Sequence, residues 1–296
     1  MPPMPSPKPA ASGYTAGTTS PLYWCTYGTP GAPRLLVLHG GPGAHHDYLL
    51  PQMLALDGVA GPRELLFYDQ RGGGKSRTTD HAPITWRTQV VDVGALIQEF
   101  ELDRPTIVGY SWGGLLAMLY AAEATRDDAL PRPIRLVLVD PAPVTRAFRA
   151  EFEAEFARRQ SGADVARMRQ ELSDSGMRER DPEAFRQRNF ELSVAGYFRD
   201  PGDAKDLTPF RVTARVQQSV WESLGDYDLV ADGTLERTAV PALILHGRQD
   251  PIPLASSQAA AAAMDAKLAI IEDCGHVPYV EQPEALFSAI GAYLSA

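Results

Sequence analysis

Six short apolar runs, rich in aliphatic and β-branched residues, recur along the chain, and each ends in a polar or glycine-rich loop. Leu35 to Leu38 precedes HGGPG, Leu65 to Tyr68 precedes DQRGGGKS, and Thr106 to Val108 precedes GYSWGG. Leu136 to Val139 precedes DPAP, Leu243 to Leu245 precedes HGRQD, and Leu268 to Ile271 precedes EDCGH. A strand that is apolar at every position has both faces covered, as in a parallel sheet. Helical patterns separate several of these runs, over Trp86 to Phe100, Trp112 to Ala124, Ser256 to Met264 and Pro283 to Leu294. The alternation predicts an α/β chain with a mostly parallel, doubly wound sheet. An antiparallel hairpin over Thr19 to Tyr27 is expected at one edge.

The stretch 144–233 breaks this rhythm. It is rich in Arg, Glu and Gln with scattered aromatics, and it offers no buried strand. It reads as a helical cap inserted into a core of 19–143 and 234–296. Charges such as Glu151, Glu155, Arg158 and Arg159 suit a solvated helix face. Residues 1–18, rich in Pro, Ser and Ala, read as a flexible arm.

A formal net charge of −9 and a pI near 5.2 argue against nucleic acid, which needs a basic face, and against an anionic membrane surface. No run of about 18 apolar residues exists to span a membrane, and the N-terminus lacks the apolar core of a secretory signal. Cys25 and Cys274 form no CxxC or metal-ligand pattern. They read as buried thiols of a reducing, cytoplasmic compartment.

Gly109-Tyr110-Ser111-Trp112-Gly113 is a G-x-S-x-G segment that leaves an apolar run and opens a helix. So sharp a turn needs small flanking residues, and it lifts the Ser111 hydroxyl clear at the positive end of the helix. A serine hydroxyl is a weak nucleophile and needs a base. Of the six histidines, His276 fits best, in a loop past the last run. His39 belongs to the glycine loop, and His246 reads as packed beside the sheet. His45 and His46 read as near a cavity mouth, and His81 reads as loop. Asp250 suits the acid that holds the imidazole in one tautomer, with Asp140 as its rival. The glycines of His39–Gly43 let the backbone approach a substrate, so the N–H groups of Gly41 and Trp112 are assigned to an oxyanion hole. GGGKS at 72–76 lacks the first glycine of a phosphate loop. DQRG at 69–72 reads as a structural turn supporting HGGPG.

Taken together, HGGPG, DQRGGGKS and GYSWGG resemble the proline iminopeptidase family of the α/β-hydrolase fold, and HGRQDPIP and CGHVPYVEQPEALF are similar to the acid and histidine loops of the wider fold. The resemblance implies a Ser111–Asp250–His276 triad, an inserted helical cap, and removal of an N-terminal residue, often proline, from a short peptide. Family peptidases grip the substrate ammonium with acidic side chains. In some members a glutamate follows the catalytic aspartate, where this chain has Pro251. Glu222, Asp226 and Asp228 are the expected substitutes. The alternative is a carboxylesterase, amidase or lactonase with the same triad and an apolar cap pocket. A binding protein that kept the fold and lost catalysis is a third possibility, against which stands the presence of every triad member. The chemistry calls for no metal or organic cofactor, and the partner is a small-molecule or short-peptide substrate. The oligomeric state is not legible.

Overall fold

The computed structural model describes residues 7–79 and 82–296. Eight strands form one sheet: β1 (Ala11–Tyr14), β2 (Tyr23–Gly28), β3 (Arg34–Leu38), β4 (Glu64–Tyr68), β5 (Thr106–Tyr110), β6 (Arg135–Val139), β7 (Ala242–Gly247) and β8 (Lys267–Ile271). Their order is β1-β2-β4-β3-β5-β6-β7-β8. The pairs from β4 to β8 are parallel, with Leu36 opposite both Leu66 and Ile107, and Val137 opposite Val108 and Leu243. β1 and β2 add antiparallel at one edge.

Alternate residues of each parallel strand enter two different cores. Leu36, Leu38, Leu66, Ile107, Leu136 and Leu138 face one cluster, together with α1 (Trp86–Glu99) and α2 (Trp112–Ala124). Leu35, Val37, Leu65, Phe67, Val108, Val137 and Val139 face the other. α1 opens on a reciprocal Thr85–Thr88 capping box. α2 is buried on nearly every side, which explains why its apolar residues have no single stripe.

Between β6 and β7 the chain is helical, with α3 (Arg146–Gln160), α4 (Ala163–Asp174), α5 (Met177–Arg180), α6 (Pro182–Val194) and α7 (Ala214–Leu224). Its two ends meet: Arg146 N–H donates to Tyr227 O at 2.9 Å and Leu229 N–H to Val144 O at 3.0 Å. α8 (Leu254–Met264) then packs on the α2 side, and α9 (Pro278–Glu281) and α10 (Pro283–Leu294) cover the opposite face.

One expectation is corrected at the edge. The segment read as a flexible arm contains β1, so the hairpin pairs Ala11–Tyr14 with Tyr23–Thr26 and its partner strand lies before Thr19. An edge strand takes its hydrogen bonds from its neighbour and needs little apolar content of its own. Gly13 lets the Trp24 indole pack close, since a Cβ there would lie 3.1 Å from Trp24 Cζ2. Glu99 accepts the N–H groups of Ala16 and Gly17, anchoring the turn to α1.

Candidate active site

β5 delivers Ser111 to the α2 N-terminus with φ 52° and ψ −118°, a conformation that L-residues rarely adopt. The strain is tolerated because the surroundings fix it. Ser111 N–H donates to Val139 O at 2.9 Å, and Ser111 O accepts from Ala142 N–H at 2.9 Å. Gly113 sits against the carbonyls of Leu38 and His39, where any Cβ would collide with backbone.

Three side chains from three loops form one hydrogen-bonded line. Ser111 Oγ is 3.0 Å from His276 Nε2, and His276 Nδ1 is 2.8 Å from Asp250 Oδ2. Asp250 Oδ1 accepts from Ile252 N–H at 2.7 Å, so both carboxylate oxygens are engaged. Burial works to raise the Asp250 pKa, but the adjacent His276 prevails and holds it below the usual carboxylate value. Asp140, the rival acid, ends β6 and lies against Asp250 instead of His276.

The His276 loop is gripped from both sides. Its N–H donates to Tyr197 O at 2.7 Å, and its carbonyl accepts from Tyr110 Oη at 2.9 Å. The Tyr197 ring stacks on the imidazole, and Phe152 and Phe156 back it. Glu281 accepts from Gly275, Val277 and Arg199 N–H, joining this loop to the helical insertion. Tyr197 and Glu281 carried no sequence signal beyond composition, because their roles depend on how the insertion docks.

The HGGPG loop lies beside Ser111. A Cβ on Gly40 would lie 3.0 Å from Ser111 Cβ and 2.8 Å from Tyr48 Oη. Tyr48 Oη accepts Gly40 N–H at 2.7 Å. Gly41 adopts φ +129°, open to glycine. Among the described residues, the N–H groups of Gly41 and Trp112 donate to no protein acceptor. Gln70 holds the loop's first residue: its N–H donates to His39 Nε2 at 3.0 Å and its amide to His39 O at 2.6 Å. His39 Nδ1–H in turn donates to Gly40 O at 2.6 Å. Burial pushes the His39 pKa down to about 4, so the ring is neutral and its tautomer is fixed.

Asp69 and Arg71 brace this support. Asp69 accepts from His46 N–H, His46 Nδ1–H and Lys75 N–H. Arg71 pairs with buried Asp92 and reaches Ser20 and Thr19 of the edge hairpin. His46 is not at a cavity mouth: it is buried, 2.7 Å from Asp69 Oδ1, 3.0 Å from Asp47 Oδ1 and 3.1 Å from Cys25 Sγ. With a carboxylate near each ring nitrogen, burial is outweighed by the contacts to Asp47 and Asp69, which push the His46 pKa up to about 12 and favour the imidazolium. His246 is packed beside the sheet, 2.9 Å from Ser257 Oγ. Cys25 and Cys274 are buried free thiols. Burial pushes the Cys274 thiol far above its ordinary pKa, which leaves it a poor nucleophile. His81 lies outside the described residues. The described residues with donor atoms close enough to hold a metal are Asp140, His246 and Asp250, and both Asp250 oxygens are already committed.

A cavity of about 1350 Å³ opens between the insertion and the loops at His45 and Gly74. Phe210 on its wall contacts Tyr48, the hydroxyl that holds Gly40. The three expected ammonium anchors are elsewhere. Glu222 is exposed and pairs with Gln218, Asp226 is exposed 3.9 Å from Arg146, and Asp228 caps its own turn at Val230 and Ala231. Their acidic spacing reflects surface turn chemistry. Asp181, Glu183 and Glu191 do line the cavity, and Glu191 alone of these is buried, with Arg188 Nη1 at 2.7 Å.

A mostly parallel eight-stranded sheet with a serine raised on a sharp β5–α2 turn defines the α/β-hydrolase architecture. The alpha/beta hydrolase family profile matches residues 35–289, and the chain belongs to that family. A proline iminopeptidase of Lactobacillus helveticus is 38% identical over 95 residues, 31% of each chain. The chain spans under half the length of the curated relatives it matches. The crystal structure of proline iminopeptidase from Mycobacterium smegmatis superposes with a TM-score of 0.66 at 20% identity, covering 96% of this chain and 97% of that one. The enol-lactonase of Burkholderia xenovorans LB400 superposes with a TM-score of 0.65 at 21% identity, covering 96% and 100%. Likenesses at this identity establish the fold. No helix among the described residues is long and apolar enough to cross a membrane.

Proposed function

We propose that the chain is a serine hydrolase that transfers an acyl group to water through Ser111, most readily the N-terminal residue of a short peptide, as in proline iminopeptidases. The observation that carries the reading is the line Ser111–His276–Asp250, with contacts of 3.0 and 2.8 Å. His276 takes the Ser111 proton as Oγ attacks the carbonyl, then gives it to the leaving amine. Water, deprotonated by His276, then releases the acyl group. The N–H groups of Gly41 and Trp112 receive the oxyanion. Residues 144–233 act as a cap over the core of 19–143 and 234–296. The similarity to proline iminopeptidases supports the peptide reading, and Glu191 is the cap carboxylate best buried to meet an ammonium group.

One observation favours a second reading, an esterase, amidase or lactonase. Glu191 is already neutralised by Arg188. A side-by-side assay on proline p-nitroanilide, its N-acylated form and p-nitrophenyl butyrate, with Ser111→Ala as blank, decides between them. Turnover of the free-amine substrate, lost on N-acylation, is the expected result. Turnover of butyrate alone would replace the peptidase reading.

A further inference from the structure

Asp140 leaves β6 with φ +42°, and its side chain is fully buried. Its Oδ1 accepts Gly247 N–H at 2.7 Å, while its Oδ2, equally buried, has no hydrogen-bond donor among the described residues. Donor atoms of Asp140, Asp250 and His246 lie within 4.8 Å of one another. The titratable groups facing Asp140 are Asp250 and His246 at the end of β7, Tyr110 at the end of β5, and Cys274, Tyr279 and Glu281 past β8. No lysine or arginine is among them. Two buried carboxyls this close strongly disfavour double ionisation, which leaves a proton on one of them. Asp250 has the Ile252 N–H and the His276 ring to stabilise its charge, while Asp140 has one N–H. The proton therefore belongs to Asp140, on the oxygen without a donor. Burial, followed by the charge of Asp250, pushes the Asp140 pKa well above the carboxylate range.

We propose that Asp140 is a neutral carboxylic acid whose Oδ2–H donates to Asp250, which makes it a positioning residue for the Asp250–His276 pair; the inference rests on the triad reading above. The donated proton adds a third contact to Asp250 beside those from Ile252 N–H and His276, and so helps hold the carboxylate toward the imidazole. It also draws charge from Asp250, and so limits how strongly that carboxylate holds a proton on His276.

The test is Asp140→Asn against Asp140→Ala. The asparagine is isosteric: its NH₂ donates to Asp250 and its carbonyl accepts from Gly247. Asn is therefore expected to keep kcat and the pH profile of the wild type within about twofold. Ala is expected to lower kcat roughly 10- to 100-fold, the loss of a hydrogen bond to a charged group, with KM unchanged and the acid limb of kcat/KM displaced to higher pH. An asparagine variant as impaired as the alanine one would mean that Asp140 is ionised, and would overturn the proposal. Difference infrared spectroscopy gives a readout free of activity. The carbonyl stretch of a protonated carboxyl is expected at pH 7 in the wild type and in Ser111→Ala, and is expected to be missing from Asp140→Asn. If the wild type lacks that band, the pairing is instead His246 imidazolium with Asp140 carboxylate, and the proposal fails. If the band is present but Ser111→Ala stays active, the triad reading fails and the buried acid stands.

Discussion

The Tyr197 ring lies against the His276 imidazole, with centroids 5.2 Å apart and planes 29° apart, while the Tyr197 carbonyl accepts the His276 N–H at 2.7 Å. The helical insertion thus grips His276 through both a ring and a backbone carbonyl. The backbone bond does not depend on the side chain, and the stacking needs an aromatic ring there. Tyr197→Ala is expected to lower kcat roughly 3- to 10-fold, the worth of one such ring contact, whereas Tyr197→Phe keeps it. Steady-state kinetics on the preferred substrate tests this, and an unchanged kcat in the alanine variant would remove Tyr197 from the positioning of His276.

Ser111→Ala is expected to abolish turnover without unfolding the chain, because the change removes one hydroxyl oxygen and its hydrogen bond to His276 and keeps the Cβ. Asp250→Asn is expected to lower kcat by about 10⁴ while the fold persists, since the amide reverses the polarity that fixes the His276 tautomer. Circular dichroism alongside kinetics separates lost chemistry from lost structure. A Ser111→Ala enzyme near wild-type rate would end the acyl-enzyme reading.

The juxtaposition of Ser111, His276 and Asp250 was legible because the signals that place them are local. The G-x-S-x-G turn needs Gly109 and Gly113 whatever the rest of the chain does, and apolar runs such as Leu136 to Val139 fit a buried parallel strand. Asp250 and His276 follow such runs directly. What stayed hidden depends on contacts between distant segments. β1 is an edge strand with little apolar content, defined by Tyr23–Thr26 across from it. His46 looks like a loop residue until Asp69 and Asp47 close on it from two sides. Glu222, Asp226 and Asp228 look like an acidic site and are exposed, while Glu191 sits in an ordinary Arg–Glu helical pattern, yet is buried.

His46 makes stability depend on pH in a defined sense. Burial opposes its charge, but hydrogen bonds to Asp47 and Asp69 prevail and push its pKa up to about 12, against an ordinary 6.5. Above pH 6.5 the unfolded chain loses this proton and the folded chain keeps it, so the stabilisation is complete below 6.5 and declines as pH rises toward 12. Each pH unit in that window removes about 1.4 kcal/mol of the advantage over His46→Gln. Denaturant unfolding of both proteins between about pH 6.5 and 8.5 isolates this effect, because groups shared by the two cancel. A constant difference across the range would mean a neutral His46.

Glu191 discriminates the two substrate readings. If its carboxylate meets an ammonium group, Glu191→Gln raises KM for proline p-nitroanilide by roughly 10- to 100-fold, the loss of a charge-assisted contact, and leaves butyrate hydrolysis unaffected. Equal effects on both substrates would assign Glu191 to the packing of α6 through Arg188.

The Arg71–Asp92 pair joins the support of the HGGPG loop to α1, with side chains 4% and 2% exposed. Arg71 also donates to Ser20 and Thr19, so one guanidinium ties together the loop after β4, α1 and the edge hairpin. Removing it leaves Asp92 buried without a cation, and burial already pushes the Asp92 pKa above its ordinary value despite Arg71. Arg71→Ala is therefore expected to cost about 3–5 kcal/mol of unfolding free energy, measured by urea titration. Replacing both partners, Arg71→Met with Asp92→Leu, removes the stranded charge and is expected to recover most of that loss. Turnover should recover less, because the ties to Ser20 and Thr19 that steady the segment holding Gln70 against His39 are not restored. A double variant as unstable as Arg71→Ala would mean that the hairpin ties, and not the buried pair, carry the stability of this corner.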